Sequence, residues 1–284
     1  MQPRFVDLHT HTTASDGTDA PRDLIRRAAS LKLAADHDTV SGLDEAEAAG
    51  REYGVEIIRG CELGVQGQYG EIHLLGLWLP RHSAPLDAEL ARLRGHREER
   101  NLKILDRLRS IGINIGYQEV LDEAGGESVG RPHIARVLQK RGIVSNFAQA
   151  FELYLGYYGA AYVPRTLLTP EEGVSLMADL GAVVSFAHPM LIRCPPSWFD
   201  EIIPRLKEAG LGAIEAYHSE HSARDERFCV ELAARYGLGL SGGSDYHGMA
   251  KLGRGKGGLR VTVALLDALK ARLKRPVDDA PEVL

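Results

Sequence analysis

Cysteine is scarce in this chain. Cys61, Cys194 and Cys229 are odd in number, widely separated and include no Cys-x-x-Cys pair. That excludes a disulfide framework and a cysteine zinc knot, and it fits a reducing, cytoplasmic setting. Long apolar runs are missing as well: nothing approaches the roughly 18 residues that span a bilayer. "MQPRFVDLHTH" enters a strand so early that no secretory leader is expected. A surplus of positive charge is also absent, the formal net charge being −5. Unaided binding to long nucleic acid or to an anionic membrane is therefore not expected, and an anionic substrate would need a local positive site. Internal repeats and low-complexity tracts are lacking too. The run "GRGKGG" at 253–258 lacks Walker spacing and reads as a solvated loop.

What the chain does have is an alternation of short apolar strands with helical stretches, the mark of parallel α/β construction. "FVDLHTH" reads as the first strand. "PRDLIRRAASL" follows as a helix with Pro21 in its first turn, then "KLAADHD", a helix near "GLDEAEAAGREYG", and the strands "VEIIRGCEL" and "EIHLLGLWL". Later, "TPEEGVSLMADLG" carries a capping box from Thr169 to Glu172 before the strand "AVVSFAHP", and "GAIEAYH" and "GLGLSGGSDYHG" close the series. About seven strands of barrel type are expected. The rhythm breaks after Pro80. "LDAELARLRGHREERNLKILDRLRSIG" is one long helix with a basic face, and "RPHIARVLQKRG" and "NFAQAFELYLG" are further helices. The expected organisation is a barrel in two parts, residues 1–80 and 165–284, interrupted by a helical cap at 81–164.

The histidines and carboxylates concentrate at strand ends. His9 and His11 close the first strand, His37 the second and Glu62 the third; His188 ends a later one, and Asp245 with His247 follows the last. In a parallel barrel these ends open onto one face, so the residues converge. Period-2 alternation puts His9 and His11 on the same side of their strand, Asp16 follows within one turn, and His73 lies inside "EIHLLGLWL". Six imidazoles and three carboxylates crowded together without counter-ions would be costly, which points to bound cations. Nine ligands exceed the needs of one tetrahedral zinc, and imidazole with carboxylate suits manganese, iron or zinc. Three divalent ions are expected, manganese first, in a pocket cationic enough to attract phosphate. A single histidine at a strand end is ordinarily structural; it is the whole set that carries the inference.

In order, "DLHTHTTASDG", "ADHDTVSGL", "GCEL", "EIHLLG", "AHP" and "GSDYHG" resemble the motifs of the polymerase-and-histidinol-phosphatase (PHP) superfamily of phosphoesterases. "GRPHIARVL" and "AYVPR" resemble its bacterial branch of 3',5'-nucleoside bisphosphate phosphatases and 5'-to-3' oligoribonucleases. The resemblance implies an α/β fold, a distorted (β/α)7 PHP barrel with a helical insertion, and a trinuclear site. It implies His9, His11 and Asp245 around one ion, Glu62 bridging to a second held by His73 and His188, and Asp16, His37 and His247 on the third. It also marks Arg131 and His133 as residues that clamp a phosphate. Asp7 and Asp38 adjoin the ligands and are candidates to orient imidazoles, Asp38 equally a turn residue. Two positions depart from the pattern: Ala35 where a threonine is usual, and Tyr157 where glycine or a basic residue is usual.

Arg97 and Arg100 on the long helix are candidates for a second phosphate, or simply a solvated face. His218 is a candidate proton donor or substrate ligand, or a structural histidine. The expected reaction is in-line attack on the phosphorus of a nucleotide phosphate ester by a metal-bridging hydroxide, releasing phosphate from a 3',5'-nucleoside bisphosphate. Exonuclease action on short 5'-phosphorylated RNA and hydrolysis of histidinol phosphate are the alternatives within that chemistry. From other classes, an amidohydrolase lacks its usual carboxylated lysine here, and a non-catalytic PHP module would have lost ligands.

Overall fold

The computed structural model describes residues 6–27, 36–124, 129–248 and 261–273, with the backbone alone at residues 36 and 37. Six strands form one sheet in sequence order: β1 (Asp36–His37), β2 (Gly60–Gly67), β3 (Gly70–Leu77), β4 (Val183–Phe186), β5 (Leu211–His218) and β6 (Gly239–Gly243). β1 pairs parallel with β2, and β4, β5 and β6 run parallel to one another, but β2–β3 and β3–β4 are antiparallel. The fold is mixed α/β; among the described residues the sheet has six strands and is not closed, and two of its pairings are antiparallel, where the distorted (β/α)7 barrel expected from the sequence called for parallel ones. The physical reason lies in the two-residue turn Gln68–Tyr69 between the paired Gly67 and Gly70, since a connection this short can join only antiparallel strands.

Residues 6–11 lie beside β6 without forming a regular strand. Leu8 N donates to Gly242 O at 3.2 Å, Asp245 N to His9 O at 2.8 Å and His11 N to Tyr246 O at 2.7 Å. Gly243 permits this close approach, because a Cβ there would stand 2.4 Å from the His9 Cβ and 2.5 Å from the His9 backbone nitrogen.

Alternation along the strands sorts side chains onto two faces. Leu63, Leu74, Val184, Phe186 and Ile214 face one core, packed under α7 (Pro170–Asp179), α8 (Ser197–Ala209) and α9 (Ala223–Tyr236). Leu75, Leu77, Val183 and Ala213 face another, with Val6, Leu8 and the α10 (Val263–Lys270) residues Leu266 and Leu269. Two residues further along on that second face the pattern turns polar: Leu75 gives way to His73, and Ala213 to Glu215. The apolar floor therefore continues directly into a polar rim, and the site stands there. α1 (Pro21–Arg27) and α2 (Leu43–Tyr53) pack on each other through Leu24, Ile25, Ala46 and Ala49.

α3 (Ala84–Ser110) leaves β3 capped by Ser83, whose side chain accepts from Leu86 N, and the next helices are α4 (Tyr117–Ala124), α5 (Arg131–Lys140) and α6 (Phe147–Ala150). The first half of α3 buries Leu86, Leu90 and Leu93 in the sheet core. Its last turns bury Ile104, Leu105 and Leu108 in a separate cluster with Ile134, Leu138 and Leu155. At the changeover the polar Arg100 and Asn101 are buried but hydrogen-bonded, to the carbonyls of Val163 and Val129. No helix among the described residues is long and apolar enough to cross a membrane. The "GRGKGG" loop, Ala35 and most of "KLAADHD" lie outside the described residues.

Gly243→Ala forces the β6 backbone away from His9. It is expected to cost about 1–3 kcal/mol in urea unfolding and to weaken metal uptake; an unchanged midpoint would contradict the close approach.

Candidate metal centre

Glu62, the third residue of β2 and fully buried, organises the site. Its Oε2 lies 3.1 Å from His9 Nε2 and 3.2 Å from His11 Nε2. Its Oε1 lies 2.8 Å from His73 Nδ1 and 2.9 Å from His188 Nε2. Because β3 runs antiparallel, its beginning reaches the same end of the sheet as the end of β2: His73 pairs with Gly64, and Gly64 and Glu62 share a face. Asp245 is the second hub, with Oδ1 3.1 Å from His11 Nε2, 3.6 Å from His9 Nε2 and 3.3 Å from His247 Nδ1. His247 Nε2 in turn lies 3.2 Å from Asp16 Oδ1.

Three groups of side chains thus offer ligand atoms that lie within 4.8 Å of one another: His9, His11, Glu62 and Asp245; His11, Asp16 and His247; and Glu62, His73 and His188. Eight of the nine residues expected as ligands come together. The ninth, His37, has its side chain outside the described residues, although its backbone pairs with Glu62 in the β1–β2 ladder. The buried His9 Nε2 makes no hydrogen bond and faces carboxylate oxygens, which is how an imidazole ligand waits for a cation. The donor set and its spacing fit divalent ions.

The electrostatics agree. Burial opposes charging His9, but the carboxylates of Glu62, Glu215 and Asp245 outweigh it and hold its pKa well above the usual value. His73, half-buried and set against Glu62 and Glu71, is raised to about 10 because those carboxylates outweigh its loss of hydration. At His188 burial wins and the pKa falls. Asp245 stays well below the usual carboxylate range despite burial, because His9, His11, His218 and His247 surround it. Three of the four described non-glycine residues with positive φ are Asp38 at 48°, His188 at 26° and Asp245 at 50°, so backbone strain concentrates here.

Several participants were not identified from the sequence. Glu215 is fully buried; its Oε1 lies 3.0 Å from His9 Nδ1 and its Oε2 accepts the His188 backbone N–H at 2.7 Å, so it orients two ligands at once. A lone acid within the apolar strand "AIEAY" was the available signal. Asp7 orients no imidazole. It accepts from Ser244 N at 2.8 Å, Ser244 Oγ at 2.6 Å and His9 N at 3.3 Å, fixing the backbone that carries Asp245. Asp38 accepts from Gly64 N and pairs with Arg97 and with Arg165, and Arg165 also donates to Glu71 at 2.8 Å.

On the cap side, Arg131 donates to Leu155 O at 3.3 Å, reaches Glu71 at 3.9 Å and lies 5.7 Å from the Phe151 ring centre. His133 is fully buried and its Nδ1 accepts the Gly130 N–H at 3.0 Å. Burial and neighbouring Arg136 push its pKa down to about 4, so the ring is neutral with its proton on Nε2. Arg136 donates to the Asp16 carbonyl at 2.9 Å, tying α5 to the loop that carries Asp16. Arg97 is engaged on Asp38, and Arg100 is buried on the Val163 carbonyl with its pKa lowered to about 10 by burial. His218 Nδ1 accepts the Glu220 N–H at 3.2 Å, leaving the proton on Nε2, which faces Asp245 Oδ2 at 3.5 Å.

Clustered imidazoles and shared carboxylates at the rim of an α/β sheet are a donor set for divalent metals, and similarity to known proteins makes the class a metal-dependent phosphoester hydrolase. The PHP domain family model matches residues 7–130. A 5'-3' exoribonuclease from Haemophilus influenzae is 33% identical over 87% of this chain and 93% of its own length. A 3',5'-nucleoside bisphosphate phosphatase from Chromobacterium violaceum is 30% identical over 96% of this chain and 99% of its own. The crystal structure of a chain from Bifidobacterium adolescentis assigned as a metal-dependent phosphoesterase superposes with a TM-score of 0.86 at 28% identity, covering 97% of this chain and 99% of that one. This chain belongs to the PHP family.

Two outcomes test the site. With the His73 pKa at about 10, that ring carries a proton at pH 8 in the metal-free protein, whereas a ligating ring is neutral. Metal uptake at pH 8 is therefore expected to release protons, read by calorimetry in buffers of different ionisation enthalpy; heats independent of the buffer would contradict it. Glu215→Gln is expected to weaken metal affinity by about 10–100-fold with little change in the folded core, and undiminished affinity would remove Glu215 from its orienting role.

Proposed function

We propose that the protein hydrolyses a phosphate monoester of a nucleotide, converting a 3',5'-nucleoside bisphosphate to the 5'-monophosphate and inorganic phosphate, in the cytoplasm. The observation that carries this is Glu62, whose two oxygens each face a different pair of imidazoles, so that one carboxylate is shared between two cation positions. His9, His11 and Asp245 would hold one ion, His73 and His188 the second across Glu62, and Asp16, His247 and His37 the third, with His11 also within reach of that last group. Manganese suits this imidazole and carboxylate set best, with iron or zinc as substitutes. When bound, the ions supply Lewis-acid charge to the phosphoryl oxygens and lower the pKa of water beside them.

The chain's own side chains do the rest. Arg131 presents a planar fork of donors suited to a phosphate oxygen pair. His133, neutral and with its proton on Nε2, donates without adding charge, and that nitrogen makes no hydrogen bond to the protein. His218 holds a proton at Nε2 beside Asp245, where it is placed to protonate a leaving oxygen. Asp38 and Glu71 hold Arg165, and Glu71 also bears on Arg131, so the cationic wall is itself fixed by a buried and a half-buried carboxylate. Arg97 and Arg100 extend that wall along α3, toward a second phosphate. The same geometry serves a terminal phosphodiester of short 5'-phosphorylated RNA, and the Haemophilus influenzae relative is a 5'-3' exoribonuclease.

Manganese-loaded protein incubated with adenosine 3',5'-bisphosphate is expected to yield AMP and phosphate at a rate abolished by chelator. Intact substrate in the presence of bound metal would overturn the nucleotide assignment. Arg131→Ala is expected to lower kcat/KM by about a hundredfold; an unchanged value would reject the clamp.

A further inference from the structure

Tyr157 and Tyr158 are the most exposed of the large side chains on the described surface, at 72% and 94%. The segment that carries them is anchored without them: Leu155 is buried, Gly156 N donates to Phe151 O, and Ala160 and Ala161 N donate to Leu153 and Tyr154 O. Two aromatic rings that contribute no core packing are free to meet something else. They meet each other edge to face at 4.9 Å between ring centres, and Tyr157 meets Tyr162 at 5.3 Å.

Cationic groups accompany these rings. Arg100 lies 5.9 Å from the Tyr162 ring centre, and the exposed Arg107 donates to the Tyr162 carbonyl. Arg97, Arg100 and Arg107 fall within about 80° of one another around α3; Arg100 is buried on the Val163 carbonyl, Arg97 is half-buried and Arg107 is exposed. At 1.5 Å per residue the row extends about 15 Å, from Asp38, which follows His37 in the chain, to Tyr162. A second path leads from His73 through Glu71 to Arg131 and the Phe151 ring. Each guanidinium has five N–H donors, and the backbone contacts at Arg100 and Arg107 use one apiece.

We propose that Tyr157 and Tyr158, with Arg97 and the exposed Arg107, form a stacking platform for the bases of a single-stranded oligonucleotide whose terminal phosphate occupies the metal centre. This deepens, and rests on, the phosphoester reading of that centre. Exposed ring faces beside a row of arginines are the combination that grips single strands without reading sequence, because every base has a face to stack and every linkage a charge to neutralise. The net charge of −5 keeps such binding local to this row.

The test measures binding of metal-loaded protein to 5'-phosphorylated, 3'-fluorescein-labelled oligoadenylates with slowly hydrolysed phosphorothioate linkages, by anisotropy. Wild type is expected to bind the pentanucleotide about tenfold more tightly than the dinucleotide, one stacked base being worth at least that. The double variant Tyr157→Ala, Tyr158→Ala is expected to lose this length dependence, while Tyr157→Phe, Tyr158→Phe keeps it, since the ring face rather than the hydroxyl does the stacking. Tyr69→Ala, on the β2–β3 turn, is the control and is expected to keep it too. Equal affinity for both lengths in wild type, or length dependence retained in the alanine variant, would overturn the proposal. Hydrolysis of adenosine 3',5'-bisphosphate is scored separately: if it proceeds while length dependence is absent, the platform fails and the phosphatase stands, and the reverse pattern separates them the other way.

Discussion

One buried carboxylate constrains much of this protein. Glu62 is wholly removed from water on β2, and a charge so placed costs several kcal/mol unless it is compensated. Four imidazoles face it, and Glu215 and Asp245 add two more buried acids to the same space. In the absence of cations, protons serve instead, which is why His9 and His73 hold theirs so strongly. The site is a cation receptor before it is a catalyst, and its attraction for phosphate follows from the charge it would acquire on filling.

The fold delivers that receptor by a simple device. A sheet face made apolar by Leu75, Leu77, Val183 and Ala213 turns polar at Glu62, which pairs with Leu75, and two residues further along at His73 and Glu215. The antiparallel β2–β3 hairpin brings His73 to the end of β2, and Gly243 lets residues 6–11 lie against β6 so that His9 and His11 join the others. The strained backbones of His188 and Asp245 turn their side chains in where a relaxed strand end would carry them past. α3 then ties the two cores together, one end in the sheet and the other in the helical cluster that carries Arg131 and His133.

Much of this was legible in the sequence because several ligands follow apolar runs and are visible as histidine or acid there; Glu62, expected to close its strand, instead lies near the start of β2, which continues to Gly67, and His73 lies inside β3. The sense of the strands was less visible. Alternation marks a strand but not its direction, and the Gly67–Gly70 turn that makes β2 and β3 antiparallel was overshadowed by the βα rhythm around it. Glu215 escaped because it lies in mid-strand, away from any motif, and its role depends on a partner 206 residues distant. Asp7 was misjudged for a related reason: adjacency to ligands suggested an imidazole partner, whereas the loop from the far end of the chain supplies Ser244. Arg165 closed the quoted stretch "AYVPR", yet only the folded chain sets it between Asp38 and Glu71.

Anomalous diffraction from crystals grown with manganese tests the central claim most directly. Three peaks are predicted, one among His9, His11, Glu62 and Asp245, one among Glu62, His73 and His188, and one beside Asp16 and His247. In crystals of Glu62→Gln the first two should weaken together, because a single carboxylate serves both. Peaks elsewhere on the molecule, or a first pair that responds independently to that substitution, would contradict the shared-carboxylate centre.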